Sequence, residues 1–193
     1  MSAVPMEWPA MDAFRTITTS LPGLLILEPR VFADERGFFL ESYNERAMAE
    51  LGITGRFVQD NHSCSRRNVL RGLHYQLKHA QGKLVRVAAG EILDVVVDLR
   101  RSSPTFGGWQ AARLSGENQR MLWVPAGFAH GFRVTSEEAH VLYKATDYYA
   151  PAHERTLAWN DPVLKIDWEL DGDPIVSAKD QRGVSLGNAE TFE

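Results

Sequence analysis

The strongest constraint on the fold is a pair of strand-like runs in the middle of the chain. Residues 83–87 and 92–99 are rich in Val, Leu and Ile, and Ala89-Gly90-Glu91 between them predicts a hairpin turn. Asp94 falls on one face of the second run. The alternate residues of that run are apolar and share the other face: Leu93, Val95, Val97 and Leu99. This region therefore predicts two strands that pack on a core.

Short strand-like runs, bounded by Gly, Pro and polar residues, recur along the chain. They cover 24–27, 38–40, 57–65, 69–76, 109–114, 121–125, 131–134 and 141–148. One helix is expected over 44–51, because Asn44 can cap its start and Gly52 can end it. Many short strands at this spacing predict an all-β sandwich or barrel, and a double-sheet jelly roll limits the exposed edges.

The length and charge of the chain narrow its class. A chain of 193 residues suits one domain, for which we expect an N-terminal extension over 1–22 and a C-terminal wrap with short helical turns over 151–193. The net charge of −4 gives no basic face for nucleic acid. Cys64 is the single cysteine, so we expect neither a disulfide nor a cysteine-based zinc site. With no signal peptide and no apolar stretch of membrane-spanning length, we expect a soluble, cytoplasmic protein.

His74 and Lys83 lie on two successive strand-like runs and suggest proton chemistry. A histidine transfers protons near neutral pH, and a lysine stabilises a developing oxyanion. The pair therefore points to proton abstraction next to a carbonyl. Strict alternation puts Arg71 and His74 on opposite faces of their strand, so Gly72 must mark an irregularity if both reach one ligand.

Two further side chains fit this chemistry, although every candidate also has an ordinary structural role. Tyr143 has a reference pKa near 10, so it is mainly protonated at neutral pH and can donate a proton. A carboxylate such as Asp180 would orient a histidine and raise its basicity. Alternatively, His74 is a structural histidine, Lys83 reaches water from a strand end, Tyr143 packs in its strand and Asp180 is solvated. Residue spacing leaves these alternatives open.

Cofactor chemistry has little support in the sequence. His62 and His130 raise the possibility of a metal, but the chain has no His-x-His pair, no metalloprotease-type helix motif and no cysteine cluster. Glycine-rich phosphate loops are also absent, so a redox nucleotide or ATP is unsupported. Several arginines could bind phosphate or be solvated on the surface: Arg36, Arg66, Arg67, Arg71 and Arg86.

Taken in order, these segments resemble the dTDP-4-dehydrorhamnose 3,5-epimerase family from about Gly23 to Asp180. The matching stretches are 34–42, 57–63, 69–76, 81–86, 103–107, 127–132, 142–146 and 177–180. The resemblance implies a cupin-like jelly roll (a double-stranded β-helix) with a few short helices, a homodimer, and no metal or organic cofactor. It also implies conversion of dTDP-4-dehydro-6-deoxy-D-glucose to dTDP-4-dehydro-L-rhamnose.

The resemblance assigns roles to individual residues. His74 matches the family's general base, Asp180 its carboxylate partner, Tyr143 the proton donor and Lys83 the lysine near the C4 oxygen. Carbons 3 and 5 of the sugar both flank the C4 ketone, so one enolate-stabilising site can serve both epimerisations. Substrate-binding roles fall on Arg36, Glu41, Gln59, Asp60, Asn61, Arg71, Lys83, His130, Glu154 and Lys179.

The resemblance also implies that Arg36 and Glu41 reach the partner subunit's site, which makes the substrate contacts depend on the dimer.

Some features leave other activities open. The segment 1–13, His140 and the tail after Asp180 depart from the family pattern. The alternatives are a single C3 or C5 epimerase, a related ketoisomerase, a non-catalytic sugar-nucleotide binding module and a metal-dependent cupin oxygenase.

Overall fold

The computed structural model describes residues 13–193, and its regular secondary structure consists mainly of short strands. The strands are β1 (Phe14–Thr18), β2 (Leu25–Pro29), β3 (Val31–Asp34), β4 (Gly37–Leu40), β5 (Gln59–Arg66), β6 (Val69–Gln76), β7 (Lys83–Ala89), β8 (Glu91–Asp98), β9 (Trp109–Ser115), β10 (Met121–Val124), β11 (Phe128–Val134), β12 (Glu138–Ala145), β13 (Glu154–Thr156) and β14 (Ile175–Val176). One α-helix, α1 (Glu45–Glu50), lies between β4 and β5. Short 3-10 turns cover Pro151–His153, Asp180–Arg182 and Leu186–Asn188. Over this range no helix has the length and apolar character needed to cross a membrane.

Two six-stranded sheets face each other. The first sheet has the order β1-β2-β10-β7-β12-β5, and the second has the order β13-β6-β11-β8-β9 with β14 added beside β6. All the pairings within the sheets are antiparallel except that of β14 with β6. This is the predicted mainly β, cupin-like jelly roll, which the structure confirms.

The main core lies between the two sheets. Val85 and Val87 of β7 and Val141 of β12 pack there against Val96 of β8 and Phe132 of β11. Their burial on alternate strand positions follows the period of two that an antiparallel strand imposes. The inner faces of both sheets are therefore apolar over much of their length, and polar side chains on these faces stand out.

The outer face of the second sheet is buried under the C-terminal part of the chain. Val95 and Val97 of β8 pack against Leu164 and Trp168, which lie in the segment expected to wrap the outside. The Trp109 indole donates a hydrogen bond to the Leu164 carbonyl at 2.9 Å. Because both faces of β8 are covered, every residue from Ile92 to Val97 except Asp94 is apolar.

Helix α1 covers the outer face of the first sheet. The Asn44 side chain accepts a hydrogen bond from the Ala47 amide at 3.1 Å, which confirms the predicted cap. Met48 of the helix packs with Leu84 and Met121 of the sheet. Residues 1–12 of the expected N-terminal extension lie outside the described residues, and its later part contains β1, which pairs with β2.

The predicted hairpin around Gly90 is wrong. Strand β7 pairs with β10 and β12, whereas β8 pairs with β9 and β11, so the chain passes from one sheet to the other at Gly90. Gly90 has a φ of +78°, and a Cβ there would meet the Glu138 carbonyl oxygen at 1.9 Å. The tight turn at Gly90 therefore connects the two sheets. The sequence did not show this, because strand propensity does not specify which strand is the partner.

A two-stranded hairpin of β3 and β4 stands outside both sheets. Its aromatic residues are exposed, with Phe32 at 52%, Phe38 at 60% and Phe39 at 68% of their full accessible surface. Strand β3 was not among the predicted runs. An exposed aromatic patch of this kind is typical of an interaction surface.

Candidate active site

A cavity of about 380 Å³ opens between the two sheets, and its size suits a small-molecule ligand. Strands β5, β7 and β12 of the first sheet and β6, β11 and β13 of the second all contribute side chains to it. The predicted site residues that line it are Gln59, Asn61, Arg71, His74, Lys83, His130, Tyr143, Glu154 and Lys179. The structure therefore brings together residues that are separated by up to 120 positions in the sequence.

Gly72 makes the irregularity that lets Arg71 and His74 face the same cavity. On β11, His130 and Phe132 are two residues apart, but their partners on β6, His74 and Arg71, are three apart. The extra residue on β6 is a bulge, which turns both side chains to one side. Gly72 has a φ of +109°, and a Cβ there would lie 2.7 Å from the His130 carbonyl oxygen, so a side chain is excluded.

His74 is held by the carboxylate of Asp180. The His74 Nε2 atom lies 2.6 Å from Asp180 Oδ1, and the Gly72 amide donates to Asp180 Oδ2 at 3.3 Å. Burial raises the pKa of Asp180, but the hydrogen bonds from His74 and Gly72 outweigh it, so the net pKa lies below the usual range. Asp180 is thus an anion that orients the imidazole and leaves Nδ1 as the atom able to take a proton.

Lys83 extends the inner face of β7 beyond Val85 and Val87, as the alternation predicted. Its two apolar neighbours lie in the core, whereas Lys83 lines the cavity. Burial lowers the pKa of Lys83 to about 8, against the opposing charges of Asp94 and Glu154. At neutral pH the ammonium is still largely protonated, and it lies in a poorly hydrated setting where a positive charge strongly stabilises an oxyanion.

His130 is held by a second buried carboxylate, which the sequence interpretation did not select. Its Nε2 atom lies 2.9 Å from Asp94 Oδ2, and Asp94 is fully buried. Burial raises the pKa of Asp94, whereas the charges of His130 and Lys83 and the hydrogen bond to His130 lower it; the net pKa is above the usual range. An aspartate in the middle of an otherwise apolar strand was the available signal, because such a group is rarely buried without a partner.

Tyr143 enters the cavity from the sheet opposite His74. Burial raises the pKa of the Tyr143 phenol, and the Glu154 carboxylate raises it further, against a smaller lowering by Arg71. Tyr143 is consequently protonated at neutral pH and can act only as a proton donor in its resting state.

Glu154 links the polar rim of the cavity. It accepts hydrogen bonds from Lys179 Nζ and from the Tyr149 hydroxyl, both at 2.8 Å. Burial raises the pKa of Glu154, but these two hydrogen bonds outweigh it and leave the net pKa below the usual range. Tyr149 was not predicted from the sequence; it lies in the loop after β12, where strand periodicity gives no information.

Three predicted binding residues lie away from the cavity. Arg36 sits at the tip of the β3–β4 hairpin and forms an ion pair with Asp34. Glu41 accepts a hydrogen bond from the Asn44 side chain at 3.2 Å. Asp60 lies 2.9 Å from Lys144 Nζ and lines a separate, more apolar pocket of about 250 Å³. Asp60 falls between Gln59 and Asn61 on β5, and strand alternation turns it to the other face of the sheet.

The jelly roll brings a carboxylate-held histidine on one sheet and a lysine and a protonated phenol on the other to one cavity, which defines a proton-transfer site of the kind that an epimerase requires. The family model for dTDP-4-dehydrorhamnose 3,5-epimerase matches residues 18–188. The chain belongs to this family of isomerases, as its sequence motifs indicated.

Individual relatives agree with this assignment. The chain is 60% identical over 174 residues to a dTDP-4-dehydrorhamnose 3,5-epimerase of Pseudomonas aeruginosa, which covers 90% of this chain and 96% of the relative. It is 56% identical over 175 residues to the enzyme of that name from Salmonella typhimurium, with coverage of 90% and 96%. A crystal structure of a dTDP-6-deoxy-D-glucose-3,5-epimerase from Legionella pneumophila, in complex with dTDP-4-keto-L-rhamnose, superimposes with a TM-score of 0.90 at 51% identity and covers 92% of this chain and 95% of that one.

Proposed function

We propose that this chain converts dTDP-4-dehydro-6-deoxy-D-glucose to dTDP-4-dehydro-L-rhamnose by inverting carbons 3 and 5 of the sugar. The observation that carries the proposal is the placement of His74 and Tyr143 on opposite sheets of one cavity, with Lys83 between the same walls. Inversion at a carbon requires that a proton leave from one face and return to the other. Groups on facing sheets meet that requirement.

The reaction begins with proton abstraction by His74. Its imidazole takes the proton from the carbon next to the C4 ketone, and the electron pair of the C–H bond moves into the carbonyl to form an enolate. Asp180 stabilises the imidazolium that results, since it is already anionic and lies 2.6 Å away. The Lys83 ammonium stabilises the enolate oxygen.

The second half of the reaction returns a proton to the opposite face. The Tyr143 phenol donates to the enolate carbon, at least at C5, and the double bond of the carbonyl re-forms. The His74 imidazolium then releases its proton to solvent and the Tyr143 phenolate takes one up, which restores both groups for the next inversion. Because both carbons flank the same carbonyl, Lys83 serves both inversions without moving.

The remaining polar residues bind the substrate. Arg71 and Lys179 supply positive charge at the wall of the cavity, which suits the diphosphate of a sugar nucleotide. Gln59 and Asn61 of β5 supply amide groups. Gln59 Nε2 donates to Asn61 Oδ1 at 2.9 Å, and the Asn61 side-chain nitrogen has no partner within the described residues. His130 fills the wall beside His74.

A homodimer completes each site in this proposal. The hairpin of β3 and β4 exposes Phe38 and Phe39 and carries Arg36 at its tip, away from its own cavity. Burying these aromatic rings against a second copy of the chain would bring Arg36 and Glu41 to the partner's cavity. The dimer would thereby give Arg36 and Glu41 a role in substrate binding, although both lie away from the cavity of their own chain.

Mixing two inactive variants tests the shared site. One variant carries His74→Gln and the other Arg36→Ala, and the two are mixed under conditions that exchange subunits. In the mixed dimer one cavity has an intact His74 and receives an intact Arg36, so activity returns above that of either variant alone. Mixtures no more active than the separate variants, when subunit exchange has been demonstrated, would rule out the shared site.

The function itself is tested by incubation with the proposed substrate in deuterated water. NMR of the sugar protons reports exchange at C3 and C5, and a reductase traps the L-rhamno product. Deuterium at both carbons together with that product supports the 3,5-epimerase. Exchange at one carbon alone supports a single epimerase, and no exchange at either refutes the proposal for this substrate.

A further inference from the structure

We propose that the outer face of the first sheet carries a binding site for a divalent transition-metal ion of the zinc type, with Cys64, Glu138 and His140 as its ligands. One ligand atom from each of these residues lies within 4.8 Å of the other two. Within residues 13–193 this is the one group of three candidate ligands that lie so close together. The site is separate from the cavity described above and is not required for its chemistry.

The register of β5 and β12 creates this cluster. His140 is the direct cross-strand partner of Cys64, so both side chains project from the same face of the sheet. Glu138 lies two residues before His140 on β12 and shares that face. Asn61 and Ser63 of β5 alternate with Cys64 and line the cavity, which places the cluster on the opposite surface of the same strand.

The hydrogen bonds of His140 prepare its ring for a metal. Its Nδ1 atom lies 3.0 Å from Nε2 of His62, and its Nε2 atom lies 3.3 Å from Glu138 Oε1. An ion between Nε2 and the Glu138 carboxylate replaces the proton that these two atoms share, and Nδ1 then carries the ring proton and donates it to His62. Histidine ligands commonly have their second nitrogen fixed in this way, which sets the tautomer and the ring orientation.

The donor atoms select the type of ion. A thiolate, an imidazole and a carboxylate suit Zn²⁺, which binds such mixed sets tetrahedrally and leaves the fourth position to water. Mg²⁺ and Ca²⁺ prefer oxygen ligands throughout and are not matched by this set. Binding displaces the thiol proton of Cys64 to solvent. The single cysteine of the chain is sufficient for this site, because Glu138 and His140 supply the other two protein ligands.

A bound ion would tie the edge strand of the sheet to its neighbour. Strand β5 is the last strand of the first sheet, and β12 is its one partner within that sheet. An ion held by Cys64 of β5 and by Glu138 and His140 of β12 joins the two strands side chain to side chain. Because the ion binds the folded chain, Zn²⁺ is expected to raise the temperature of unfolding.

Titration of the metal-free, full-length protein tests the site. Zn²⁺ is added and followed by calorimetry, and Co²⁺ is added separately to detect the absorption that a thiolate ligand produces. We expect one ion per chain, a Co²⁺–thiolate band, and at least about tenfold weaker Zn²⁺ binding in Cys64→Ser and in His140→Gln, a loss of 1.4 kcal/mol or more. His153→Gln, which changes a histidine outside the cluster, should bind Zn²⁺ as the unaltered protein does.

Three results would overturn the proposal: no binding of Zn²⁺, no thiolate band with Co²⁺, or binding that both ligand substitutions leave unchanged. Epimerase activity of each variant in the absence of metal verifies that it has folded, since the cluster lies outside the cavity. Cys64→Ala is the replacement if Cys64→Ser does not fold. Failure of the metal site leaves the epimerase proposal untouched, because the two are measured separately.

Discussion

His74 and His130 lie directly opposite each other on the neighbouring strands β6 and β11, and both line the same cavity. Each imidazole is held by its own carboxylate, His74 by Asp180 at 2.6 Å and His130 by Asp94 at 2.9 Å. The two pairs differ in their surroundings, since Asp94 is deeper and its pKa is raised by burial, whereas the net pKa of Asp180 is lowered. The first pair is suited to proton abstraction and the second to fixing a wall of the site.

Replacement of Asp94 by Asn should impair the site without abolishing it. His130 loses a buried, charge-assisted hydrogen bond of about 1.5–3 kcal/mol, so kcat/KM should fall by roughly tenfold to a hundredfold. Steady-state kinetics measure this, and Asp173→Asn provides a matched change at an exposed carboxylate. Unaltered kcat/KM in Asp94→Asn would show that His130 does not depend on this contact.

Removal of the Tyr143 hydroxyl should separate proton loss from inversion. In Tyr143→Phe, His74 still abstracts protons, but the phenol that returns one to the opposite face is gone. Formation of the L-rhamno product should therefore slow by about a hundredfold or more, while deuterium from solvent continues to enter the starting sugar. Tyr148→Phe, a change at an exposed tyrosine, serves as the control. Equal losses of exchange and of product would contradict a donor role limited to the second step.

The pH dependence of kcat/KM should report the loss of the ammonium proton of Lys83. Its pKa is lowered to about 8 by burial, and the lysine is needed in its charged form, so the rate should fall as the pH rises through about 8. Lys83→Arg should be slower but should lack this decline, because a guanidinium stays charged. Lys78→Arg, at an exposed position, should still show the decline of kcat/KM near pH 8. A decline near pH 8 that survives in Lys83→Arg would assign it to another group.

Asp98 should stabilise the fold in a defined pH window. Burial raises its pKa, but hydrogen bonds from Arg100, Ser103 and Thr105 lower it to about 2, below its ordinary value of 3.8. A carboxylate with a depressed pKa in the folded state stabilises the protein above pH 3.8, and this contribution is lost as the pH falls towards 2. Asp98→Asn should thus lower the free energy of unfolding at neutral pH by about 2 kcal/mol.

Urea unfolding at a fixed protein concentration measures this difference. The difference in free energy of unfolding between Asp98→Asn and the unaltered protein should be largest at neutral pH and should decrease as the pH approaches 2. Asp173→Asn again provides the comparison at an exposed carboxylate. A difference in free energy of unfolding that stays constant across this pH range would assign the effect to packing instead of charge.

The jelly roll could be predicted from the sequence because its evidence is local. Alternating apolar residues identify β8, and Asn44 with Gly52 bounds the helix without reference to distant parts of the chain. The choice of strand partner is not local, and for this reason the hairpin expected at Gly90 proved to be a crossing between sheets.

The site was predictable to a similar extent. His74 and Lys83 were found from two runs that are consecutive in the sequence, although their strands lie in opposite sheets. Gly72 was singled out because alternation alone could not bring Arg71 beside His74. The contact of Asp180 with His74 spans 106 positions, so only the family resemblance suggested it.

Other features of the site require the folded chain. The contact of Asp94 with His130 and the pairing of Cys64 with His140 both depend on which strands are neighbours. Neither follows from residue spacing, since each contact joins two different strands. The same holds for Tyr149, which reaches the rim from a loop.

The central claim is that His74 removes the protons at both carbons of the sugar. His74→Gln preserves the size and polarity of the side chain but cannot act as a base, and His153→Gln is the matched control. The most direct measurement is NMR of the substrate incubated with each variant in deuterated water, alongside calorimetry to verify that the substrate still binds. With His74→Gln we expect bound substrate but no deuterium at C3 or C5, and with His153→Gln we expect normal exchange. Exchange at the unaltered rate in His74→Gln would contradict this role of His74.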